Sequence, residues 1–271
     1  MIRFIKKYLV ALAAALMVTS CGTTSTVPIT GRKHSLLVDD AQVLSLSKQQ
    51  YAATMNKMKL STNTAGTAMV KKVGQRLANA VDAFLRANGA AADLKYYEWE
   101  FNLLQDKSAN AFCMPGGKIA VYEGMLPITK DEASLAIVLG HEIAHAVAKH
   151  SAEQMSKQLR QQYGTQVITQ VLNATVGQNK ATLAGLVAQT GFSFLNLKYS
   201  RDNETEADHI GLIFAAMAGY DPRTALTFWQ RMAASSTSSR AEILSDHPSD
   251  ATRIATLQKL MPEALKYYKA K

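Results

Sequence analysis

Apolar residues recur at helical spacing from about Asp40 to Lys59, and again from Ala68 to Ala87, where Asn88-Gly89 supplies a stop. The period then changes. From Tyr97 to Leu103 apolar and polar residues alternate, which predicts a half-buried strand within 96–104. Strand-like runs also flank Pro115-Gly116-Gly117, a turn signal, so a hairpin is expected just ahead of the next helix. Thr129-Lys130-Asp131-Glu132 fits a capping box and predicts the start of that helix, whose stretch Val138–Val147 is mostly apolar apart from His141, Glu142 and His145. A moderately apolar helical region covers 152–198, broken at Gly164, Gly177, Gly185 and Gly191. Its most apolar part, 181–197, is interrupted by Gln189, Thr190, Ser193 and Asn196 and reads as a buried hairpin rather than a membrane span. The pattern as a whole predicts an α+β fold, mainly helical, with a small sheet or hairpin beside one central helix.

The chain's N-terminal end follows a different rule. Arg3, Lys6 and Lys7 precede an apolar stretch from Tyr8 to Val18, and small residues lead into Cys21. This predicts a signal peptide over residues 1–20. The cysteine at the cut resembles the lipobox of bacterial lipoproteins, which implies lipidation at Cys21. The polar, Pro- and Gly-containing stretch to residue 39 reads as a tether, leaving 40–271 as one domain.

Composition adds bounds rather than identity. With 271 residues, 48% of them hydrophobic, the chain is long enough for one sizeable core. The formal net charge of +9 falls to about +6 without the signal, which carries three basic and no acidic residues. No block of like charge stands out, so nucleic acid is not an expected partner, and the mild excess suits a neighbourhood of anionic lipid. Cys113 is the one cysteine left after Cys21 and is expected to be a packed side chain.

The chemistry concentrates at His141-Glu142-Ile143-Ala144-His145. Positions four apart differ by about 40° around a helix, so both histidines share a face and can bind one zinc ion. Glu142 sits beside them, where it could take a proton from a water at the metal. The metzincin arrangement is excluded, because the positions it needs as Gly and His are Ala148 and Ser151. His150 would lie about 180° from His141 on a continued helix and is not expected to join the metal. A third ligand is required, and Tyr199–Gly211 supplies candidates. Glu204 and Asp208 are four apart: Glu204 is the expected ligand, and Asp208 the acceptor for the second ring nitrogen of a ligand histidine. Glu206 should point away into solvent, and His209 should lie off that face.

These residues together resemble the zinc metallopeptidases related to CAAX prenyl proteases and HtpX heat-shock proteases. Asn110-Ala-Phe with Pro115-Gly-Gly, His150, and His247-Pro248 followed by Arg253-Ile254 agree with that resemblance, which runs from about Ala41 to Leu260. It implies a gluzincin-like domain, one Zn²⁺ per chain and endopeptidase activity. By its compact lipoprotein or periplasmic branch, it also implies protein quality control in the bacterial cell envelope, at the outer membrane facing the periplasm. The expected substrates are unfolded or misassembled envelope proteins, with a peptide lying extended beside the strand near Asn110 or Ile119. His247 is a candidate donor to the tetrahedral oxyanion, or a group that closes the open metal position. Arg253 is expected near the site or paired with Asp208 or Asp246. The rival reading is a lipid-anchored chaperone or assembly factor whose protease site is normally closed.

Overall fold

The structure is a computed structural model that describes residues 23–164, 185, 187, 189–195, 197–235 and 251–269. Cys21, His247 and residues 165–184 lie outside the described residues, and with them the expected lipidation site and the expected oxyanion donor or closing group.

Residues expected to be a tether instead form a hairpin, β1 (Thr23–Thr26) with β2 (Lys33–Leu36), paired antiparallel. Two helices follow, α1 (Asp40–Met55) and α2 (Thr64–Ala87), close to where the apolar pattern put them. Asp39 and Gln42 form a capping box on α1, and Asn63 caps α2. A three-stranded sheet comes next: β3 (Glu100–Leu104), β4 (Ala111–Met114) and β5 (Lys118–Tyr122), ordered β3-β5-β4. Pro115-Gly116-Gly117 does close the antiparallel β4–β5 hairpin, and both glycines take positive φ. β3 pairs with β5 in parallel.

The strand alternation is two-sided. Phe101, Leu103, Ala111, Cys113, Ile119 and Val121 join the main core with the central helices. Leu104, Phe112, Met114, Ala120 and Tyr122 join a second core with α1 and the helix that follows the central one. Strands buried on both faces read as nearly continuous apolar runs, which is how β4 and β5 appear in the sequence.

After a short helix α3 (Leu126–Thr129), the chain reverses at Lys130, φ 64°, and enters α4 (Glu132–Val147). The cap of α4 is Asp131, which accepts from the Ser134 N–H at 2.7 Å, rather than Thr129. Pro127 starts α3 ahead of it, and Thr129 is used up ending that turn. Every residue of α4 from Ser134 to Val147 is buried, because it touches α2, β4, α6 and α7. A left-handed Lys149 (φ 57°) separates α4 from α5 (His150–Tyr163). From the run 181–197, the described Phe192 and Phe194 are buried, and both are tied by backbone to the Gln50 side chain of α1. The remaining helices are α6 (Arg201–Met217), α7 (Thr224–Ser235) and α8 (Ala251–Tyr267). No helix among the described residues is long and apolar enough to cross a membrane.

What positions the site is the crossing of α4 and α6. A Cβ on Gly140 would lie 2.8 Å from the Gly211 carbonyl oxygen, and one on Gly211 would lie 2.8 Å from the His141 nitrogen. Both clashes are with backbone, which cannot swing aside, so the two helices approach only because both positions lack side chains. Gly211→Ala should therefore destabilise by about 1–3 kcal/mol or more, seen as a lowered urea midpoint. Gly185→Ala, whose Cβ meets nothing within 4 Å, should stay within about 0.5 kcal/mol of wild type. Equal midpoints for the two variants would contradict this account of the crossing.

Candidate metal centre

Facing turns of α4 and α6 bring His141, His145 and Glu204 together, each of them buried. Their potential ligand atoms all lie within 4.8 Å of one another. The two Nε2 atoms are 3.1 Å apart, and each is 3.4 Å from an oxygen of Glu204. Donors about 2.0–2.1 Å from a tetrahedral zinc would be separated by about 3.4 Å, so two imidazoles and a carboxylate at these spacings suit that ion. Glu142 is buried on the same helix turn. Its carboxylate, after burial itself, helps push the Cys113 thiol upward, which sets it within electrostatic reach of β4.

Each histidine is backed by a chain of hydrogen bonds that ends on an arginine. His141 Nδ1 lies 2.9 Å from Asp208 Oδ1, the contact expected for Asp208. Arg253 grips Asp208 through both carboxylate oxygens, at 2.8 and 2.6 Å, and its Nη1 lies 3.6 Å from Glu204. The guanidinium stacks 3.5 Å over the Trp229 ring, which itself sits edge-on to His141. On the other side, His145 Nδ1 lies 2.8 Å from His150 Nδ1, and His150 Nε2 lies 2.9 Å from Glu206 Oε2. Glu206 in turn accepts from Arg32 at 2.8 Å and from the Thr30 hydroxyl. The Tyr199 ring stacks on His145 at 4.0 Å, with its hydroxyl 3.0 Å from Ser151.

The charges follow this wiring. Burial and Arg253 push His141 down, yet its bonds to Asp208 and Glu204 prevail and raise it to about 9. Burial holds His145 well below the usual imidazole range. Burial would raise Asp208, but Arg253 and His141 hold it below the usual carboxylate range. Burial would likewise raise Glu206, but His150, Arg32 and Thr30 hold it down at about 2.

Several expectations change here. Glu206 is buried against the N-terminal hairpin rather than solvated, because α6 is covered on that side as well. His150 is not in the cluster of potential ligands, and helical angle is not what sets its position. α4 ends at Val147, and the left-handed Lys149 returns His150 beneath His145. No Gly or Pro marks that break in the sequence. Ile119 cannot offer a strand edge, since β5 is paired on both sides. Asn110 precedes β4, which is an edge of this sheet. His209 lies off the centre, bonded to Glu263 at 2.8 Å.

Comparison with known proteins bears on this geometry. The sequence profile of Peptidase family M48 matches residues 65–261, a span that holds the three potential ligands, Glu142, Asp208 and Arg253. This chain belongs to that family. M48 proteins are zinc metallopeptidases, as the resemblance implied. The chain is 39% identical over 178 residues to the mitochondrial metalloendopeptidase OMA1 of Schizosaccharomyces pombe, covering 65% of this chain and 50% of that protein. It is 33% identical over 245 residues to the mitochondrial metalloendopeptidase OMA1 of Homo sapiens, covering 88% of this chain and 46% of that one. The beta-barrel assembly-enhancing protease of Yersinia pestis is 32% identical over 165 residues, covering 58% of this chain and 33% of the other. The chain thus spans about half the length of the OMA1 proteins it matches. Arg32, Thr30 and the rest of the N-terminal hairpin precede the M48 match.

The low Glu206 pKa sets a pH test. A carboxylate held at about 2 when folded, against about 4.3 unfolded, adds stability that is full above about 4.3 and lost as pH falls toward 2. The difference in urea midpoint between wild type and Glu206→Gln should therefore be full at pH 7 and close over that interval. A difference of constant size down to pH 2.5 would mean that the carboxylate's charge does not stabilise the fold.

Proposed function

We propose that this protein is a zinc-dependent endopeptidase, held in the bacterial cell envelope by lipid on Cys21, that cleaves unfolded or misassembled envelope proteins. The observation that carries the reading is the His141, His145 and Glu204 donor set, spaced for one tetrahedral ion, with Glu142 next to His141 on α4 and that helix packed on β4. Zinc bound there supplies a Lewis acid for the scissile carbonyl and lowers the pKa of a water. Glu142 takes the proton from the attacking water and returns it to the leaving amine. Asp208, with Arg253 behind it, holds His141 in the tautomer that turns a lone pair on Nε2 toward the metal position.

The substrate chain runs beside β4. Asn110, Phe112 and Met114 direct their main-chain groups to β5, as the Tyr122 N–H to Asn110 carbonyl bond of 2.9 Å shows, so Ala111 and Cys113 direct theirs outward. Asn110 Oδ1 accepts from the Ala111 N–H at 2.8 Å, covering one of those outward groups. A cleft opens past Pro115 and Gly116 at the end of this strand and reaches His145. Val43, Leu44, Tyr96, Tyr97 and Ala146 give it a mainly apolar lining, suited to side chains that a folded protein keeps inside. Pairing by main chain with an apolar side pocket favours unfolded substrates. The name of the Yersinia pestis relative, a beta-barrel assembly-enhancing protease, supports an envelope substrate.

The soluble form that starts after Cys21 should carry one zinc per chain by mass spectrometry and hydrolyse casein. Glu142→Gln should keep the zinc and lose about 10²–10⁴-fold in rate. Casein hydrolysis at the wild-type rate by Glu142→Gln would remove the mechanism.

A further inference from the structure

We propose that the N-terminal hairpin is part of the metal centre, and that Arg32 is a positioning residue for the ligand His145, acting through Glu206 and His150. The inference rests on the zinc reading above and extends it to a segment outside the M48 match.

The proton positions force the connection. To ligate through Nε2, His145 must carry its proton on Nδ1, and that atom faces His150 Nδ1 at 2.8 Å. His150 must then accept at Nδ1 and carry its own proton on Nε2, which faces Glu206 Oε2 at 2.9 Å. Glu206 must stay an acceptor, and two donors on the hairpin hold it so: Arg32 Nε at 2.8 Å and the Thr30 hydroxyl. Every donor in the chain meets one acceptor. A single wrong tautomer at His150 would set two N–H groups against each other and turn the coordinating nitrogen of His145 away.

Arg32 is fixed for this task from a second side. Its Nη1 and Nη2 atoms bind the two oxygens of Glu153 on α5 at 3.0 and 2.8 Å, the helix that starts at His150. One guanidinium thus ties the hairpin to α5 and α6 at once. Val27 is buried in the main core and Leu36 in the second, so the hairpin is seated by packing as well as by charge. The arrangement parallels the other ligand, where Asp208 and Arg253 back His141 directly. The His145 side needs one more residue, because α6 places Glu206 a further imidazole away. Outer partners of metal-ligating histidines are commonly worth about 10–100-fold in metal affinity.

The test uses the chain starting after Cys21, with zinc affinity read by competition against a chromogenic chelator and ligand geometry read from the absorption bands of the Co²⁺ form. Wild type must first bind one ion per chain; failure there would remove the zinc reading itself. Given that binding, Arg32→Met should weaken zinc about tenfold, shift the Co²⁺ bands and speed zinc release. Arg32→Lys, which restores charge on Glu206 without the two-sided grip, should recover part of the loss. The metal-free melting temperature separates positioning from simple loosening. A Lys48→Met variant, which breaks the exposed Lys48–Glu98 ion pair and touches no member of the relay, serves as the control for ordinary surface loss. Arg32→Met with wild-type zinc affinity and unchanged Co²⁺ bands overturns the inference. So does a loss of affinity that Arg32→Lys leaves wholly unrepaired while the metal-free melting temperature falls equally in both variants.

Discussion

Everything in this site depends on two helices lying closer than side chains would permit. At the crossing of α4 and α6, Gly140 and Gly211 meet backbone to backbone. On α4 His141 follows Gly140 directly and His145 lies one turn further on; the preceding turns of α6 carry Glu204 and Asp208. Separating the axes by even the depth of a methyl group would move the carboxylate donor relative to both imidazoles. Donor separations of 3.1 and 3.4 Å leave little room for such a shift.

That closeness creates an electrostatic problem, which the surroundings solve. Three histidines, Glu142, Glu204, Glu206 and Asp208 are all buried along α4, α6 and the start of α5. Buried charge is tolerated only when paired and hydrogen-bonded. Arg253 enters from α8 and stacks on Trp229, while Arg32 enters from the N-terminal hairpin, so the two cations come from opposite ends of the described chain. The apolar side chains of α2, α7 and the sheet close the rest of the volume. The same helix α4 also packs on β4, which sets the edge strand and the cleft past Pro115 beside the donors.

The sequence showed much of this, for identifiable reasons. Helix periodicity placed α1 and α2, alternation placed β3, and Pro115-Gly116-Gly117 placed the turn between β4 and β5. These signals are local, and each is set by the backbone geometry of a few residues. The hairpin at 23–36 looks like a tether in the sequence because its strands are short, polar and rich in Thr and Ser, which resembles a linker. The helix cap moved from Thr129 to Asp131 because a preceding proline turn consumed Thr129. The angle of Glu206 on α6 points it to solvent only if the helix has one exposed side, and α6 is covered there by the N-terminal hairpin.

By itself, then, the sequence determined which of these side chains share a helix face. His141 and His145 must share a face at helical spacing, and Glu204 and Asp208 must share another, whatever surrounds them. Local period was sufficient, because each pair lies on one helix. Only the tertiary structure decided which groups stand behind the donors. His150 returns beneath His145 through a left-handed residue that no Gly or Pro announces, and Arg32 reaches Glu206 across 174 positions of chain. Contacts of that kind leave no period in the sequence. They arise where buried carboxylates need counter-charges, and the fold alone determines which arginine is near enough to serve.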